Sequence, residues 1–401
     1  MTDEAPVTPP AVGWRAIPRG IWALGFVSLL MDISSEMIHS LLPIYMVTIL
    51  GASAITIGVL EGVAEATASV TKVFSGVLSD WFGKRKLLAV IGYGLAALTK
   101  PIFPLAPSID WLIGARLLDR VGKGIRGAPR DALVADISPA HLRGASFGLR
   151  QSLDTIGAFF GPLLAIGLMW VTADNFRRVF WVAVVPALLS VAVLLFAVKE
   201  PERPNDVRQV RMPLRREELR RLGAAYWKIV AVAGVFTLAR FSEAFLILRA
   251  QSIGLPVKLA PAVLVLMSLA YSLSAYPVGV ISDRVNKVTI LVTGLAVLVA
   301  ANLVLASSTG LVSLSVGVVL WGLHMGFTQG LLATMIAGTS PPELRGTAFG
   351  VFNLVTGLTL LASSVIAGIL WQTVGPQYTF LAGALFAGIT IIVLSVVRPQ
   401  S

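Results

Sequence analysis

The chain has 401 residues, of which 56% are hydrophobic and only 13% are charged, a balance that excludes an ordinary water-soluble domain. A formal net charge of +11 would suit nucleic-acid binding, but the arginines that follow residue 199 have no aromatic neighbours before Tyr226. A base-stacking surface is therefore excluded. The chain has no cysteine, which excludes disulfides and thiolate metal sites.

Apolar stretches long enough to cross a bilayer recur along the chain. A transmembrane helix needs about 20 apolar residues to cross about 30 Å of hydrocarbon. Residues 1–20 lack the apolar core of a signal peptide, and we expect them to form a cytoplasmic tail. The pattern predicts about twelve spans, at residues 21–50, 55–79, 87–108, 110–137, 143–171, 177–198, 227–252, 258–282, 288–307, 310–338, 344–373 and 375–397.

The predicted spans divide into two halves, because two sequence patterns recur at nearly the same spacing. Residues 138–148 and 340–350 are identical at seven of eleven positions, and residues 76–80 are similar to 279–283. Such a repeat predicts two structural units. We expect two pseudo-symmetric six-helix bundles, with a cytoplasmic linker between them. The domains are therefore 21–198 and 227–397, with the linker at 199–226.

The basic residues of the short loops lie on one side of the predicted membrane. Because basic loops favour the cytoplasm, this side and both termini are expected to be cytoplasmic. No phosphate-binding loop follows a strand, so ATP is not expected to drive the protein, and we predict no cofactor.

Span 1 carries Asp32, Glu36 and His39, which lie on one helix face. Ionisable residues within a membrane are costly and mark functional sites. This set suits proton coupling or structural pairing better than a divalent metal, which would need further ligands from other helices. The other candidates for proton coupling are Glu61, Glu65, Asp154 and Glu243.

Span 4 is the most charged of the predicted spans. At 100° per residue, Arg116, Arg120, Lys123 and Arg130 lie within about 80° of one another, with Arg126 toward the edge. One interpretation is an anion-attracting wall beside a cavity, and the other is a network of ion pairs with carboxylates of spans 1, 2 and 5. Two candidates for substrate binding come from the second half, Arg240 and Asn353.

The segment after span 2 reads Gly76-Val-Leu-Ser-Asp80-Trp-Phe-Gly83-Lys84-Arg85. It resembles the loop motif of the major facilitator superfamily, in which the aspartate latches the cytoplasmic gate. A degenerate second copy ends at Asp283.

Span 5 contains Gly157-Ala-Phe-Phe-Gly161-Pro162, which resembles the antiporter motif of the exporters of the same superfamily. Small residues one helical turn apart permit close packing, and the proline bends the helix. Ala165 and Ile166 stand where the family usually has a glycine pair, which weakens the inference of export. The gating candidates are Gly76, Asp80, Gly83, Lys84, Arg85, Asp283, Gly157, Gly161 and Pro162.

The resemblance implies an all-α membrane protein with twelve transmembrane helices, similar to the drug/proton antiporters, which is not an enzyme and works by alternating access. The function expected first is proton-coupled export of a small polar solute, anionic or metal-chelating. Its partners would be that solute, protons and a bacterial inner membrane, and the chain would act as a monomer. The alternatives are a proton-symport importer, a divalent-metal carrier that uses Asp32, Glu36 and His39, and a non-transporting receptor or scaffold.

Overall fold

The computed structural model describes residues 17–82, 84–139, 142–200, 216–282, 285–340 and 344–397. The side chains at several helix ends, that of Asp80 among them, lie outside this description. The described part of the chain consists of α-helices with one short 3-10 helix, and it contains no strand. This confirms the all-α class predicted from the sequence.

Eight α-helices are described in the first half, and two of the predicted spans are interrupted within it. Pro43 lies in the first turn of the short helix that completes span 1, and Pro101 precedes the one that completes span 3. A proline is tolerated at such a start but not inside a helix without a bend. The helices are α1 (Arg19–His39), α2 (Leu42–Thr48), α3 (Ala54–Phe82), α4 (Arg85–Thr99), α5 (Ile102–Leu105), α6 (Ile109–Ile137), α7 (Arg143–Val171) and α8 (Phe176–Ala197).

The second half follows a linker in which only a short helix, α9 (Arg216–Arg221), is described. Its first span is interrupted, so that α10 and α11 together correspond to the predicted span 227–252. The remaining elements are α10 (Ala224–Leu238), α11 (Ala244–Ser252), a 3-10 helix (Val257–Leu259), α12 (Ala262–Ser282), α13 (Lys287–Ser307), α14 (Leu311–Thr339), α15 (Arg345–Thr373) and α16 (Pro376–Val397).

Ten helical stretches in the described chain are long and apolar enough to cross a membrane. The two other predicted spans are present but differ in character. Helix α6 is long enough but carries many charges, and the span made by α10 and α11 is interrupted. Twelve spans in two bundles therefore agree with the prediction.

The two halves contact each other mainly through α3 with α15 and α7 with α12, and α11 of the second half also contacts α2 and α3. We call the side of the bundle where α1 begins and α3 ends the basic face, and the opposite side the far face. At the far face the backbone amide of Ala54 donates to Oε1 of Gln372 at 3.3 Å, and the ammonium of Lys258 lies 4.0 Å from the ring centre of Trp170. The halves are thus in contact at the far face.

Candidate functional site

A cavity with two lobes lies between the halves. The first, which we call the charged lobe, has a volume of about 290 Å³, and the second, the apolar lobe, about 330 Å³. They meet at Ser69 of α3 and Asn353 of α15, which line both. The ionisable residues of the charged lobe are Asp32, Glu36, Glu65, Lys72, Lys123, Arg126, Arg130 and Asp154.

On the far-face side of the charged lobe, Glu61 is the centre of a buried ion-pair group. Its Oε2 lies 2.9 Å from Nη2 of Arg116 and 3.2 Å from Nε2 of His39. The other ring nitrogen of His39 lies 3.6 Å from the carboxylate of Glu36. A histidine between two carboxylates can pass a proton from one side of its ring to the other.

A second layer of ion pairs lies one turn closer to the basic face. Nη1 of Arg120 contacts Oε1 of Glu65 at 3.0 Å. Nζ of Lys100 contacts Oδ1 of Asp119 at 2.8 Å and donates to Ser35 at 3.0 Å. Because these charges are paired, removing one partner of a pair would leave the other as an uncompensated buried charge.

A third group of charges joins α6 and α7 nearest the basic face. Arg130 contacts Asp131 at 3.1 Å and Asp154 at 3.7 Å. Arg150 contacts the same two carboxylates at 3.9 and 3.6 Å. Two guanidinium groups therefore share two carboxylates.

The carboxyl groups of Asp32 and Asp154 both line the charged lobe, close enough for their charges to interact. Two neighbouring carboxylates repel each other when both are ionised, and a proton on one of them removes that repulsion. Helices α1 and α7 approach closely here. A Cβ atom at Gly157 would lie 3.0 Å from Cβ of Asp32, and one at Gly161 would lie 2.6 Å from Cβ of Glu36. The glycines of the predicted antiporter motif thus pack against the helix face that carries these two acids.

Two cations of the charged lobe have no partner among the described residues. Lys72 and Lys123 are both exposed, and neither forms an ion pair or a side-chain hydrogen bond there. The stem of Lys72 passes over Gly127, where a side chain would lie 3.6 Å from its Cε. Arg126 stacks on the ring of Tyr93 at 4.7 Å, and its buried Nη1 has no hydrogen-bond partner. These three groups leave positive charge available beside the cavity.

The apolar lobe has one ionisable residue among those that line it, Arg240. When the carboxamide of Gln329 is turned so that its oxygen faces Arg240, this oxygen accepts from Nη2 at 2.9 Å and from Nη1 at 3.1 Å. Oε1 of Glu243 lies 3.8 Å from Nη2 of Arg240. Its apolar lining comes from Phe236, Leu332, Phe352 and Leu360.

The structure brings most of the predicted site residues together around the charged lobe. Arg116 and Arg120 are in ion pairs with acids of span 2, as in the second interpretation of span 4, whereas Lys123 and Arg126 face the cavity without an ion pair. Glu243 and Arg240 belong to the second half, and Glu243 lies close enough to His39, Glu36 and Glu65 to interact with them electrostatically.

The predicted gate is described only in part. Gly76 lies close to Ala128 of α6, Lys84 precedes α4 and is exposed, and Arg85 contacts Asp136 at 2.9 Å. The side chain of Asp80, and residues Gly83 and Asp283, lie outside the described part of the chain. Pro162 is inside α7, beside the α1 contact.

Asp32, Glu36 and His39, the set considered as an alternative for a divalent metal, do not converge on one point among the described residues. Asp32 faces Asp154, whereas Glu36 and His39 contact each other. Within the described ranges, no group of three histidine, cysteine, aspartate or glutamate residues is arranged to hold a metal ion.

Sequence reasoning left three contributors out of the candidate set. Helical periodicity places Lys72 on the face of Glu61 and Glu65, two turns after Glu65, but it gives the lysine no role. Lys100 stands before Pro101 at the end of an apolar span, and Gln329 stands within another. For these two no sequence pattern indicates a partner.

The sequence matches the Major Facilitator Superfamily over residues 24–359 and 244–401. The chain belongs to this superfamily. It is 32% identical over 391 residues to an uncharacterized MFS-type transporter of Methanocaldococcus jannaschii, covering 95% of each chain. It is 28% identical over 403 residues to the inner membrane transport protein YajR of Escherichia coli, covering 95% of this chain and 83% of that protein.

A solved structure of a POT family transporter, in complex with a thioalcohol-conjugated peptide, has the same fold. The TM-score is 0.81 with 13% identity, over 98% of this chain and 99% of that one. The superfamily predicted from the loop and antiporter motifs is therefore confirmed. This major facilitator is a multi-pass membrane transporter and not an enzyme. Transporters of this fold bind their solutes between the two halves, where the cavity lies.

Proposed function

We propose that this transporter moves a small organic solute that carries negative charge, coupled to protons, by alternating access. The observation that carries the proposal is the charged lobe, where Lys72 and Lys123 have no ion pair among the described residues and lie in one lining with Asp32 and Asp154. Positive charge within a membrane is costly unless something negative neutralises it. An anion that enters the lobe supplies that charge.

Asp32 and Asp154 are the proposed proton site. A proton on one of them would remove the repulsion between the two carboxylates, and both line the lobe in which the solute would bind. Glu61 and Glu65, by contrast, are held by arginines of α6. Release of the shared proton would leave two adjacent negative charges, which repel each other and disfavour an anion nearby.

The charge of the lobe favours binding of anion and proton together, as in a proton symporter. Its described lining contains four carboxylic acids and four bases, so it is neutral when all are ionised. A proton on the Asp32–Asp154 pair makes it positive, and an anion then restores neutrality. In a medium of low dielectric constant this compensation is strong.

Proton-coupled export by antiport is the second candidate. It is favoured by the exporter motif, since Gly157 and Gly161 pack directly against the α1 face that carries Asp32 and Glu36. In this mode the solute and the proton would compete for the lobe, instead of binding together.

We also propose how the chain lies in the membrane. The basic face would be cytoplasmic, with both termini there, in a bacterial inner membrane. The halves 21–198 and 227–397 would move as two bodies joined by the linker 199–226, in a chain that acts as a monomer. Because the halves are in contact at the far face, the cavity would open toward the cytoplasm in this state.

The proposal is tested by flux in proteoliposomes, with and without an imposed pH gradient. The panel contains organic anions, organic cations and divalent metals. We expect anion flux that depends on the gradient. Flux of cations or metals instead, or anion flux that ignores the gradient, would contradict the proposal, and absence of any flux would favour the receptor alternative.

A further inference from the structure

We infer that the solute is an amphipathic organic anion, with one acidic group in the charged lobe and an apolar, ring-sized body in the apolar lobe. The inference rests on the proposed transport of an anion and adds the class of molecule. It follows from how the two lobes divide the chemistry of one cavity.

The available positive charge lies in only one lobe. Lys72, Lys123 and Arg126 are in the charged lobe, and the first two have no partner among the described residues. In the apolar lobe the guanidinium of Arg240 is already held by Gln329 and approached by Glu243. A second acidic group on the solute would find no uncompensated cation there, so one acidic end fits best.

The apolar lobe has two phenylalanines and two leucines in its lining, beside side chains that are uncharged and polar apart from Arg240. Phe236 of α10, Leu332 of α14 and Phe352 of α15 line it, and the first two are 4% and 5% exposed. Its volume is about 330 Å³. A dry cavity of about 150 Å³ is enough to hold benzene, so this lobe has room for a body of two fused rings. Burying such a body would stabilise the complex by about 25 cal/mol per Å² of apolar surface.

The junction between the lobes fixes the orientation of the solute. Ser69 belongs to α3 in the first half, and Asn353 to α15 in the second. These helices are close at this level, since a Cβ at Gly357 would lie 2.6 Å from Oγ of Ser69. A solute that occupies both lobes therefore spans the two halves that must move apart, with its acid on the first and its rings on the second.

The test uses four probes that separate ring from charge. Indole-3-acetate has both the ring and the acid, acetate has only the acid, tryptophol has the ring with a neutral alcohol, and tryptamine has the ring with an amine. Binding to the full-length protein in nanodiscs is measured by calorimetry. We expect indole-3-acetate to bind at least tenfold more tightly than each of the other probes. Each of the others lacks either the indole ring that would contact the apolar lobe or the carboxylate that would contact the cations of the charged lobe.

Variants then assign each end of the probe to a lobe. Phe352→Ala should weaken binding of indole-3-acetate about tenfold and leave that of acetate unchanged, with Phe352→Leu intermediate. Lys123→Gln should weaken both anions. The matched control is Phe196→Ala on α8, whose side chain is 86% exposed and far from the lobe lining. Elution as a single species in detergent shows that a variant is folded.

The outcomes separate this inference from the proposed function. Equal binding of acetate and indole-3-acetate, or no effect of Phe352→Ala, would overturn the amphipathic class while anion transport stands. Tight binding of tryptamine with no binding of either anion would overturn both. Failure of all four probes to bind would overturn the inference, and the flux panel would then decide the proposed function alone.

Discussion

The guanidinium of Arg116 and the carboxylate of Glu61 meet at 2.9 Å, with both side chains at least 96% buried. The two residues come from α6 and α3, and His39 of α1 contacts the same carboxylate. Three helices of the first half are thus joined through one acid. We therefore expect the charge of α6 to serve assembly at this level, with the proposed solute binding at the levels nearer the basic face.

Removing one partner of this pair should cost more than removing both. Arg116→Met leaves Glu61 as an uncompensated buried charge, and we expect a loss of about 3–5 kcal/mol in unfolding free energy. The double variant Arg116→Met/Glu61→Gln should recover most of it, because no buried charge is left alone. Thermal unfolding in detergent measures both, and a double variant no more stable than Arg116→Met would contradict the structural role.

Asp32→Asn should uncouple transport from the proton gradient. An asparagine keeps the size of the side chain but cannot share a titratable proton with Asp154. We expect gradient-driven accumulation to be lost while exchange of solute across the membrane persists, and Asp154→Asn to act in the same direction. The control is Asp110→Asn, at the exposed start of α6. If Asp32→Asn still accumulates solute as the unaltered protein does, the proton site lies elsewhere.

The spans could be predicted from the sequence because the bilayer imposes one length and one composition on each of them. The charged face of α6 could be predicted for the same reason, since charge inside an apolar span is conspicuous. The sequence alone could not predict which acid pairs with which base. Asp32 and Asp154 stand 122 positions apart in sequence, and only the packing of α1 on α7 brings them together.

Other parts of the site also depended on tertiary structure. Helical periodicity places Lys123 with Arg116 and Arg120, but it does not show that acids of α3 engage the two arginines and not the lysine. The apolar lobe had no signal at all, because Phe236 and Phe352 look like any other residues of an apolar span. Only the fold shows that they face a cavity.

The glycines of α7 should be sensitive to size in a position-dependent way. A side chain at Gly161 would meet Cβ of Glu36, whereas nothing lies within 4 Å of the same position at Gly167 on the same helix. Overpacking costs about 1–3 kcal/mol. We expect Gly161→Val to lower thermal stability and transport rate, with Gly167→Val close to the unaltered protein. Equal effects of the two changes would show that α1 and α7 do not need this close approach.

The contact of Trp170 with Lys258 should hold the far face closed. It joins the end of α7 to the second half, and a cation over an aromatic ring at an exposed site contributes about 0.5–1 kcal/mol. Trp170→Ala should therefore raise the population open at the far face roughly two- to fivefold. Since the chain has no cysteine, the single variant Ser69→Cys can be labelled selectively. A membrane-impermeant thiol reagent added on the far-face side should then label it faster when the far face opens more often.

The control for this experiment is Trp181→Ala on α8, whose side chain is exposed and forms no contact between the halves. It should leave the labelling rate unchanged. Slower labelling in Trp170→Ala, or equal acceleration in both variants, would mean that this contact does not close the far face.

The most direct test of the central claim is the number of protons exchanged when an anion binds. Purified protein in weakly buffered solution with a pH indicator receives indole-3-acetate adjusted to the same pH. Because the anion and the proton of the Asp32–Asp154 pair compensate each other in the charged lobe, the unaltered protein should take up a proton, about one per bound anion at most, and Asp32→Asn should take up none. Proton release by the unaltered protein would favour antiport, and anion binding without any proton exchange would contradict proton coupling at this site.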